Sequence, residues 1–432
     1  MMDGIFALAS AAGRGGVAVY RLSGPGTAEA VKTLTGRDLP AARQAVFRTL
    51  SHQGEVIDRG LVIWFPAPHS FTGEDVAEFQ LHGGRAVSQA LAEALLALGL
   101  RPAEPGEFSR RAFHSGKLDL TQAEAIADLV EAETAAQRRQ ALRQMDGALY
   151  RLYEDWRDQL LRIQAHLEAD IDFSDEDLPG GLTAAARDRL LDLAGTMARH
   201  LADGHRGERL RDGLHVAILG SPNVGKSSLL NLIAGREAAI VSAQAGTTRD
   251  IIEVHLDLGG YPVVLADTAG LRETSEAVEE EGIRRALARA EAADLKLVVL
   301  DATQEPDPSV MALVDRQTLV LLNKADLGNK LSVRGVPVSA KTGQGLDELL
   351  AELTRQAAKA LEGSGAPALT RARHRAAIEA AVENLHRALQ ATLPELAAED
   401  VRLSTRALGR ITGRVDVEDM LDVIFREFCI GK

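Results

Sequence analysis

Residues 220–228 combine glycines, a lysine and hydroxyl groups in the order GSPNVGKSS. They follow Leu214–Leu219, an apolar run that predicts a buried strand, and they precede residues 229–233, which predict a helix. Glycines let backbone N–H groups turn toward an anion, and a helix N-terminus adds partial positive charge. A glycine-rich turn can arise by chance, but this spacing between strand and helix predicts a P-loop. Lys226 would then reach the β- and γ-phosphates of a nucleotide, and the Ser227 hydroxyl would ligate Mg²⁺.

Two polar segments farther along suit the γ-phosphate and its metal ion. Residues 245–250 (AGTTRD) form a polar loop in which a threonine can complete the Mg²⁺ shell. Residues 263–266 predict a buried strand that ends in the sequence DTAG. Asp267 of that sequence can hold Mg²⁺ through a water molecule, and the Gly270 N–H can meet the γ-phosphate.

Two later segments suit a guanine base. Residues 319–322 predict a strand that ends in NKAD, and its aspartate, Asp326, can accept from guanine N1–H and the 2-amino group. Adenine lacks that donor pair. Residues 338–341 (VSAK) supply a backbone N–H for guanine O6. A strand-end aspartate alone is often a turn residue, but all these segments in order predict GTP binding. The predicted GTP site comprises Asn223, Val224, Gly225, Lys226, Ser227, Ser228, Ser242, Thr247, Thr248, Asp267, Thr268, Ala269, Gly270, Asn323, Lys324, Asp326, Ser339, Ala340 and Lys341, with Mg²⁺ on Ser227 and Thr248.

The composition bounds the class of protein. A chain of 432 residues predicts about three domains of roughly 100–200 residues each. The net charge of −13 argues against a chain that is basic throughout, and one cysteine excludes an intrachain disulfide framework and a zinc site of clustered cysteines. The sequence shows neither a signal-peptide pattern nor an apolar run of about 18 residues. We therefore expect a cytoplasmic protein without a membrane partner.

The N-terminal residues 1–117 mix short apolar runs with helical patterns. Glycine and proline clusters separate the runs, as is typical of a compact α+β domain. The predicted strands are residues 5–9, 17–22, 56–65 and 76–81, and the predicted helices are residues 27–34 and 86–98.

Residues 118–210 and 366–432 carry apolar side chains at helical spacing. Residues 126–167 predict one long amphipathic helix, or two. Because isolated helices of this kind need a partner, we expect both regions to pack together as one helical domain, although two separate small bundles would also satisfy the pattern. A Ras-like P-loop domain at residues 211–365 is then inserted between the two parts of this helical domain. The whole chain is therefore expected to have a multidomain fold of the α/β and α classes.

Outside the nucleotide motifs, the chain carries further short motifs: RGGV at 14–17, RLSG at 21–24, SFTGED at 70–75, HGG at 82–84, KLDL at 117–120, QAEA at 122–125 and FCIGK at 428–432. With these motifs, the sequence resembles a known family, the tRNA-modification GTPases called MnmE or TrmE. The resemblance spans the whole chain, including the inserted G domain.

The resemblance implies a folate site in the N-terminal domain. Arg21, Glu78, Lys117 and Lys432 match the positions associated with 5-formyltetrahydrofolate or a related folate. Cations suit the carboxylates of folate, and a carboxylate suits the donors of the pterin edge. Each residue taken singly reads as a surface charge, and Glu74 lies close enough in sequence to compete with Glu78.

The resemblance also implies a K⁺ ion beside the phosphates, held by Asn223 and the segment 242–247, with Ser242, Gln244 and Thr247 as further ligands. A fixed cation there stabilises charge that develops in the transition state. Alternatively, Asn223 merely braces its loop.

Glu279 matches the catalytic glutamate of the family. Leu271 is apolar where Ras-like enzymes place a glutamine, so the attacking water must be oriented from elsewhere. The alternative is that Glu279, with Glu280 and Glu281, belongs to a solvated acidic helix start.

The implied partners are tRNA, a second copy of the chain, and the FAD protein MnmG in a heterotetramer or larger complex. The resemblance implies that together they add a carboxymethylaminomethyl-type group to C5 of the wobble uridine (position 34) with a folate one-carbon unit. It also implies a homodimer that forms through the N-terminal domain, and we expect the G domains to meet when GTP and K⁺ are bound. The competing class is a GTP-controlled binding module such as a ribosome-assembly factor, which would carry a basic RNA-binding domain.

Two remaining features receive a structural interpretation. Residues 107–113 (EFSRRAF) have local positive charge and are expected to form a solvated surface. Cys429 has no histidine base near it in sequence, so a thiol that packs on a helix is favoured over a nucleophile.

Overall fold

The chain folds into two compact units. The computed structural model describes residues 3–172, 184–203, 205–236, 238–240, 253–267, 291–363, 367–415 and 418–431. Unit 1 comprises Met1–Ala127, Gln144–Arg162 and Thr405–Lys432, and unit 2 comprises Asp128–Arg143 and Ile163–Ser404. The predicted division of the chain at residues 1–117, 118–210, 211–365 and 366–432 stays a prediction.

Unit 1 is built on a mostly antiparallel sheet. Its strands are β1 (Ile5–Leu8), β2 (Gly15–Ser23), β3 (Val46–His52), β4 (Glu55–Phe65), β5 (Val76–Gly83) and β6 (Arg101–Pro102). They lie in the order β3-β4-β5-β2-β1-β6, with β1 and β6 parallel. Leu22 and Phe79 of the sheet are buried against Leu91 and Leu95 of a helix. The predicted α+β fold is confirmed, whereas β3 and β6 were not predicted.

Helices make up most of the remaining structure. They are α1 (Thr27–Thr35), α2 (Arg85–Ala97), α3 (Glu107–His114), α4 (Leu120–Glu131), α5 (Ala135–Met145), α6 (Ala148–Asp172), α7 (Ala184–Leu201), α8 (Arg206–Asp212), α9 (Lys226–Ala234), α10 (Pro308–Met311), α11 (Leu346–Leu361), α12 (Ala372–Gln390), α13 (Pro394–Thr412) and α14 (Glu418–Arg426). None of the described helices combines the length and the apolar character needed to cross a membrane.

The prediction of one long helix or two over residues 126–167 is wrong, because α4, α5 and α6 are three separate helices. Before α5, the Thr134 N–H and hydroxyl both donate to Gln137 Oε1, at 3.0 and 3.1 Å, and so start a new helix. Gly147 separates α5 from α6 with φ +81°, a left-handed conformation that glycine adopts freely. Apolar residues resume at helical spacing after each break, with Leu142 in α5 and Leu149 in α6, and this spacing hid the breaks in the sequence.

Helices from the C-terminal region pack on helices from the first helical region within each unit. In unit 1, Leu421 and Phe425 of α14 are buried with Leu120 and Ala123 of α4. In unit 2, α12 packs along α7. The apolar stripes of the two regions therefore bury one another within each unit, and the single helical domain stays a prediction. Helix α13 had no predicted counterpart.

Unit 2 carries a mostly parallel sheet. Its strands are β7 (Leu214–Leu219), β8 (Glu253–Leu258), β9 (Tyr261–Asp267), β10 (Leu295–Asp301), β11 (Thr318–Asn323) and β12 (Val336–Pro337). They lie in the order β12-β11-β10-β7-β9-β8, with β8 antiparallel to β9. The strands predicted before each nucleotide motif are confirmed. Successive strands after β7 go first to one side and then to the other, and ligands of open α/β sheets bind at such a switch point.

The chain enters and leaves the segment that is predicted to bind a nucleotide at neighbouring points of unit 2. Gly207 lies in α8, just before β7, and Leu369 lies just before α12. A Cβ on Gly207 would be 2.1 Å from the Leu369 carbonyl oxygen, so the two backbones touch. The buried carboxylate of Asp128 accepts from Arg211 Nε at 3.0 Å and from Arg371 Nη2 at 2.7 Å. One side chain thus ties the two connecting segments together.

Candidate functional site

The loop between β7 and α9 adopts conformations that require glycine. Gly220 has φ +149°, and a Cβ there would lie 2.4 Å from the carbonyl oxygen of Val299 in β10. Gly225 has φ +99°, and a Cβ there would lie 2.3 Å from Asn323 Nδ2. An L side chain at either position would meet both strain and a clash. The loop is therefore a close-packed cradle of the shape expected for a phosphate.

Lys226 is held over this loop. Its Nζ donates to the carbonyl oxygens of Gly220 at 2.8 Å and Ser221 at 2.9 Å, and the residue is 7% exposed. Ser227 follows in the first turn of α9, and its side chain is exposed. The ammonium and the hydroxyl thus stand at the positive end of a helix, where they fit a phosphate with its Mg²⁺ ion.

Asn323 joins the phosphate loop to the loops predicted to bind the base. Its side-chain Nδ2 donates to the Val224 carbonyl at 2.7 Å, and its Oδ1 accepts from the Ala340 N–H at 3.0 Å. The residue is 2% exposed, so both hydrogen bonds are shielded from water. A single buried amide therefore sets the spacing between two parts of the predicted GTP site.

The remaining base-recognition residues lie at the carboxyl ends of β10, β11 and β12. Lys324 has φ +63°, and its Nζ donates to Asp301 Oδ2 at 2.7 Å. Burial alone would raise the pKa of Asp301, but hydrogen bonds from Lys324 and Thr303 outweigh it and hold the pKa below its ordinary value. Asp326 is exposed, free to meet a ligand from solvent.

The loop after β12 is organised by a buried serine. Ser339 is fully buried, and its Oγ accepts from the Thr342 N–H at 3.1 Å. The backbone N–H of the next residue, Ala340, donates to Asn323 Oδ1, and Lys341 is exposed. The hydrogen bond from the Ala340 N–H to Asn323 thus holds this loop beside the NKAD motif.

Asn223 lies at the tip of the P-loop with φ +63°. Its side chain is exposed, and no side chain or backbone group in the described part of the chain forms a hydrogen bond with it. The described residues therefore offer no group that the Asn223 side chain could brace.

Several predicted site residues fall outside the described residues. Asp267 ends strand β9. The others that lie outside are Ser242, Gln244, Thr247, Thr248, Thr268, Ala269, Gly270, Glu279 and Lys432. Their predicted roles stay predictions.

A cavity of about 240 Å³ lies in unit 1, lined by Arg21, Arg43, Phe65, Ser70, Phe71, Val76 and Glu78. Arg21 and Glu78 face each other across strands β2 and β5, and Arg21 Nη2 donates to Glu78 Oε1 at 2.9 Å. The Arg21 guanidinium carbon also lies 5.5 Å from the centre of the Phe71 ring. The structure thus brings two of the four predicted folate residues together at one cavity. Sequence reasoning missed Arg43, because no motif surrounds it.

Glu74 is engaged elsewhere and does not line this cavity. Its Oε2 accepts from Ser23 Oγ at 2.7 Å and from Arg111 Nη1 at 3.1 Å. The expectation of a solvated surface at residues 107–113 is therefore wrong for Arg111, which is 4% exposed because Glu74 and Glu107 neutralise it. Burial alone would raise the pKa of Glu107, but hydrogen bonds from Arg101, the Glu104 N–H and Arg111 lower it to about 2.

Lys117 is exposed and is not among the residues that line the cavity. Its Cε would lie 3.4 Å from a Cβ on Gly73, in the loop that also carries Phe71. The C-terminal tail reaches β1, since a Cβ on Gly431 would lie 2.5 Å from the Leu8 carbonyl oxygen. Leu8 is one residue beyond Ala7, the register partner of Arg21 on β2.

The packing role predicted for Cys429 is wrong, because this cysteine is exposed. Helix α14 ends at Arg426, and its buried apolar stripe ends with Phe428. Cys429 therefore lies beyond the helix face on which it was expected to pack.

Comparisons with known proteins agree with these motifs. A family model described as "GTP-binding protein TrmE N-terminus" matches residues 4–117, and one described as "MnmE helical domain" matches residues 120–429. A protein of Paramagnetospirillum magneticum named tRNA modification GTPase MnmE is 60% identical over 100% of both chains.

A relative from Danio rerio, named 5-taurinomethyluridine-[tRNA] synthase subunit GTPB3, mitochondrial, is 51% identical over 100% of this chain and 93% of its own. Among solved structures, the G domain of the T. maritima FeoB iron transporter is 27% identical over 34% of this chain and 98% of that one, with a TM-score of 0.26. The two family matches and the full-length identity to relatives suffice: the chain belongs to the MnmE, or TrmE, family of tRNA modification GTPases.

Proposed function

We propose that this chain hydrolyses GTP and that the hydrolysis serves the modification of tRNA, as the names of its relatives indicate. The observation that carries the proposal is the Asn323 amide, which holds the phosphate loop and the base-recognition loop together. The test is turnover of GTP and of ATP by the purified chain with Mg²⁺. We expect GTP turnover alone, because Asp326 pairs with a donor edge that adenine lacks. Equal turnover of ATP would contradict the assignment.

The proposed hydrolysis uses a K⁺ ion where other GTPases use an arginine finger. When bound beside the phosphates, K⁺ supplies charge that stabilises the transition state. Asn223 would hold the ion with Ser242, Gln244 and Thr247, and its exposed, unpartnered side chain within the described residues supports that role. Glu279 is proposed as the catalytic glutamate on family resemblance.

The K⁺ proposal is tested with Asn223→Ala. We expect this variant to lose the stimulation of GTP turnover by KCl over NaCl while it still binds GDP. The matched control is Asn231→Ala, which removes another exposed asparagine from α9. Wild-type turnover that is equal in the two salts would contradict the proposal.

The proposed tRNA reaction adds an aminomethyl-type group to C5 of the wobble uridine, together with the FAD protein MnmG in a heterotetramer or larger complex. A folate in the cavity of unit 1 would supply a one-carbon unit. Arg21, Glu78, Lys117 and Lys432 would hold the folate, and the meeting of Arg21 and Glu78 at the cavity supports this. The Danio rerio relative is named for 5-taurinomethyluridine, so a substituent other than carboxymethylaminomethyl occurs among relatives.

Reconstitution tests the whole proposal. The chain, MnmG, tRNA, 5-formyltetrahydrofolate, GTP and K⁺ are combined, and the nucleosides are analysed by mass spectrometry. We expect a 5-substituted uridine that disappears when the folate or the GTP is omitted. Unmodified uridine in the complete mixture, with MnmG shown to be active, would refute the proposed reaction.

We also propose that two copies associate through the N-terminal domain and that their G domains meet when GTP and K⁺ are bound. Light scattering with and without GTP tests this, and a monomeric mass in both states would contradict it. The tRNA substrate fits a cytoplasmic location. A GTP-controlled ribosome-assembly factor is disfavoured, because the family matches cover the flanking domains.

A further inference from the structure

The cavity of unit 1 carries a cation that no described carboxylate neutralises. Three charged side chains line it, namely Arg21, Arg43 and Glu78. Arg21 donates from Nε at 3.1 Å and from Nη2 at 2.9 Å, in both cases to Glu78 Oε1. The other oxygen of Glu78 accepts no hydrogen bond from the described residues, and Arg43 forms no ion pair with them. The lining therefore offers one free acceptor and one uncompensated positive charge.

Arg43 is held in a fixed position before any ligand arrives. It has φ +61°, a conformation that residues with a side chain rarely adopt. Its backbone N–H donates to the Trp64 carbonyl at 2.8 Å, and its Nη2 donates to the His69 carbonyl. Its guanidinium carbon lies 5.6 Å from the centre of the Phe65 ring. Strained backbone of this kind persists where the surroundings hold it, and it is frequent at ligand sites.

The two polar features lie at different depths. The side chains of Arg21 and Glu78 are only 22% and 17% exposed, whereas Arg43 is exposed to solvent. Glu78 therefore lies inside the cavity and Arg43 lies at its rim. The volume of about 240 Å³ is below the roughly 300–1,000 Å³ of sites that enclose a drug-sized ligand. A ligand larger than this volume would therefore extend from the cavity past its rim.

We propose that Arg43 binds the carboxylate tail of the ligand at the rim, while the free oxygen of Glu78 accepts from the donor edge of its ring system. The chemical class is a heteroaromatic ring with N–H donors at one end and a carboxylate at the other, as in a reduced folate. This inference rests on the proposed folate function. It replaces the expectation that Arg21 takes a folate carboxylate, because Arg21 is already paired with Glu78. Arginine suits the role, since its planar fork matches a carboxylate.

The test compares two ligands by isothermal titration calorimetry on the full chain. One is 5-formyltetrahydrofolate, and the other is a tetrahydropterin that lacks the glutamate tail. The variants are Arg43→Gln and Arg43→Gly, the second of which accepts the left-handed backbone without strain. Arg37→Gln is the matched control, because Arg37 is an exposed arginine of the same unit that does not line the cavity.

We expect both Arg43 variants to bind the folate roughly tenfold to hundredfold more weakly, as for loss of a charged hydrogen-bond pair. Both Arg43 variants should bind the tail-free pterin as the wild type does. The Arg37→Gln control should bind both ligands with wild-type affinity. Folate binding that both Arg43 variants retain would overturn the role of Arg43 and leave the folate site intact. Equal losses for the two ligands would also overturn it, because Arg43 would then only support its loop. A wild type that binds neither ligand would instead overturn the proposed folate function itself.

Discussion

Replacing Gly225 with alanine is expected to separate the two halves of the nucleotide site. The added Cβ would lie 2.3 Å from Asn323 Nδ2, so the amide has to move. That movement breaks the 2.7 Å hydrogen bond from Nδ2 to the Val224 carbonyl and disturbs the 3.0 Å bond from the Ala340 N–H. The phosphate loop and the base-recognition loop then lose their common brace.

The size of the effect follows from two contributions. Alanine at φ +99° carries left-handed strain of about 1–2 kcal/mol. Loss of a partner by a buried amide costs about 1–3 kcal/mol, and Asn323 is buried. A nucleotide needs the two loops in the arrangement that Asn323 holds, so binding to the variant has to restore that arrangement at a cost of about 2–5 kcal/mol. This cost corresponds to a loss of roughly thirtyfold or more in affinity for guanine nucleotides.

The assay is equilibrium binding of a fluorescent GDP analogue, with thermal unfolding measured in parallel. The control is Gly235→Ala at the other end of α9, where φ is −79° and the nearest atom to a new Cβ is 3.5 Å away. We expect the control to bind GDP like the wild type. Gly225→Ala with unchanged affinity would refute the reasoning.

A double-mutant cycle with Asn323→Ala isolates the clash. In that background the amide is absent, so Gly225→Ala should cost only the backbone strain of about 1–2 kcal/mol. If the losses in nucleotide affinity of the two single variants simply add in the double variant, Gly225 acts on the nucleotide without Asn323. The bracing role would then be wrong.

Three further predictions concern the catalytic, base-recognition and structural carboxylates. Glu279→Ala should lower single-turnover GTP hydrolysis by roughly 100-fold or more with GDP binding retained, and undiminished turnover would refute its catalytic role. Asp326→Asn should weaken GTP roughly tenfold to hundredfold in competition binding and should favour xanthosine triphosphate, which presents a carbonyl in place of the 2-amino group; unchanged preference would refute the guanine contact. Glu107→Gln should lower the free energy of unfolding at pH 7 by about 3 kcal/mol, because the pKa of Glu107 is lowered from 4.5 to about 2 in the folded chain. This stabilisation is present above pH 4.5 and is lost as the pH falls toward 2, so urea unfolding should show a smaller difference at pH 3 than at pH 7; an equal difference would count against the ion pairs.

The nucleotide site was predictable because each of its motifs is a short stretch of consecutive residues. Each motif follows its strand directly, so β7, β9 and β11 could be placed from runs of apolar residues. The bracing role of Asn323 could not be read in the same way. It depends on Val224, which lies 99 residues away in the chain.

Unit 1 shows where local patterns stop being informative. Strand β3 has Phe47 69% exposed and Leu50 fully buried, so its alternation does not separate a buried face from a polar one. Arg111 looks solvated in sequence, and only its distant partner Glu74 explains its burial. Arg43 likewise gains its position from Phe65 through a contact between separate segments.

Gly207 and Leu369 lie back to back where the nucleotide-binding segment begins and ends. The stretch between them can therefore be lengthened, shortened or exchanged without prising α7 away from α12, which pack on each other. Segments whose ends lie close together are tolerated as insertions. Exchange of the whole stretch for another domain with similarly close ends would leave the distance between α8 and α12 unchanged.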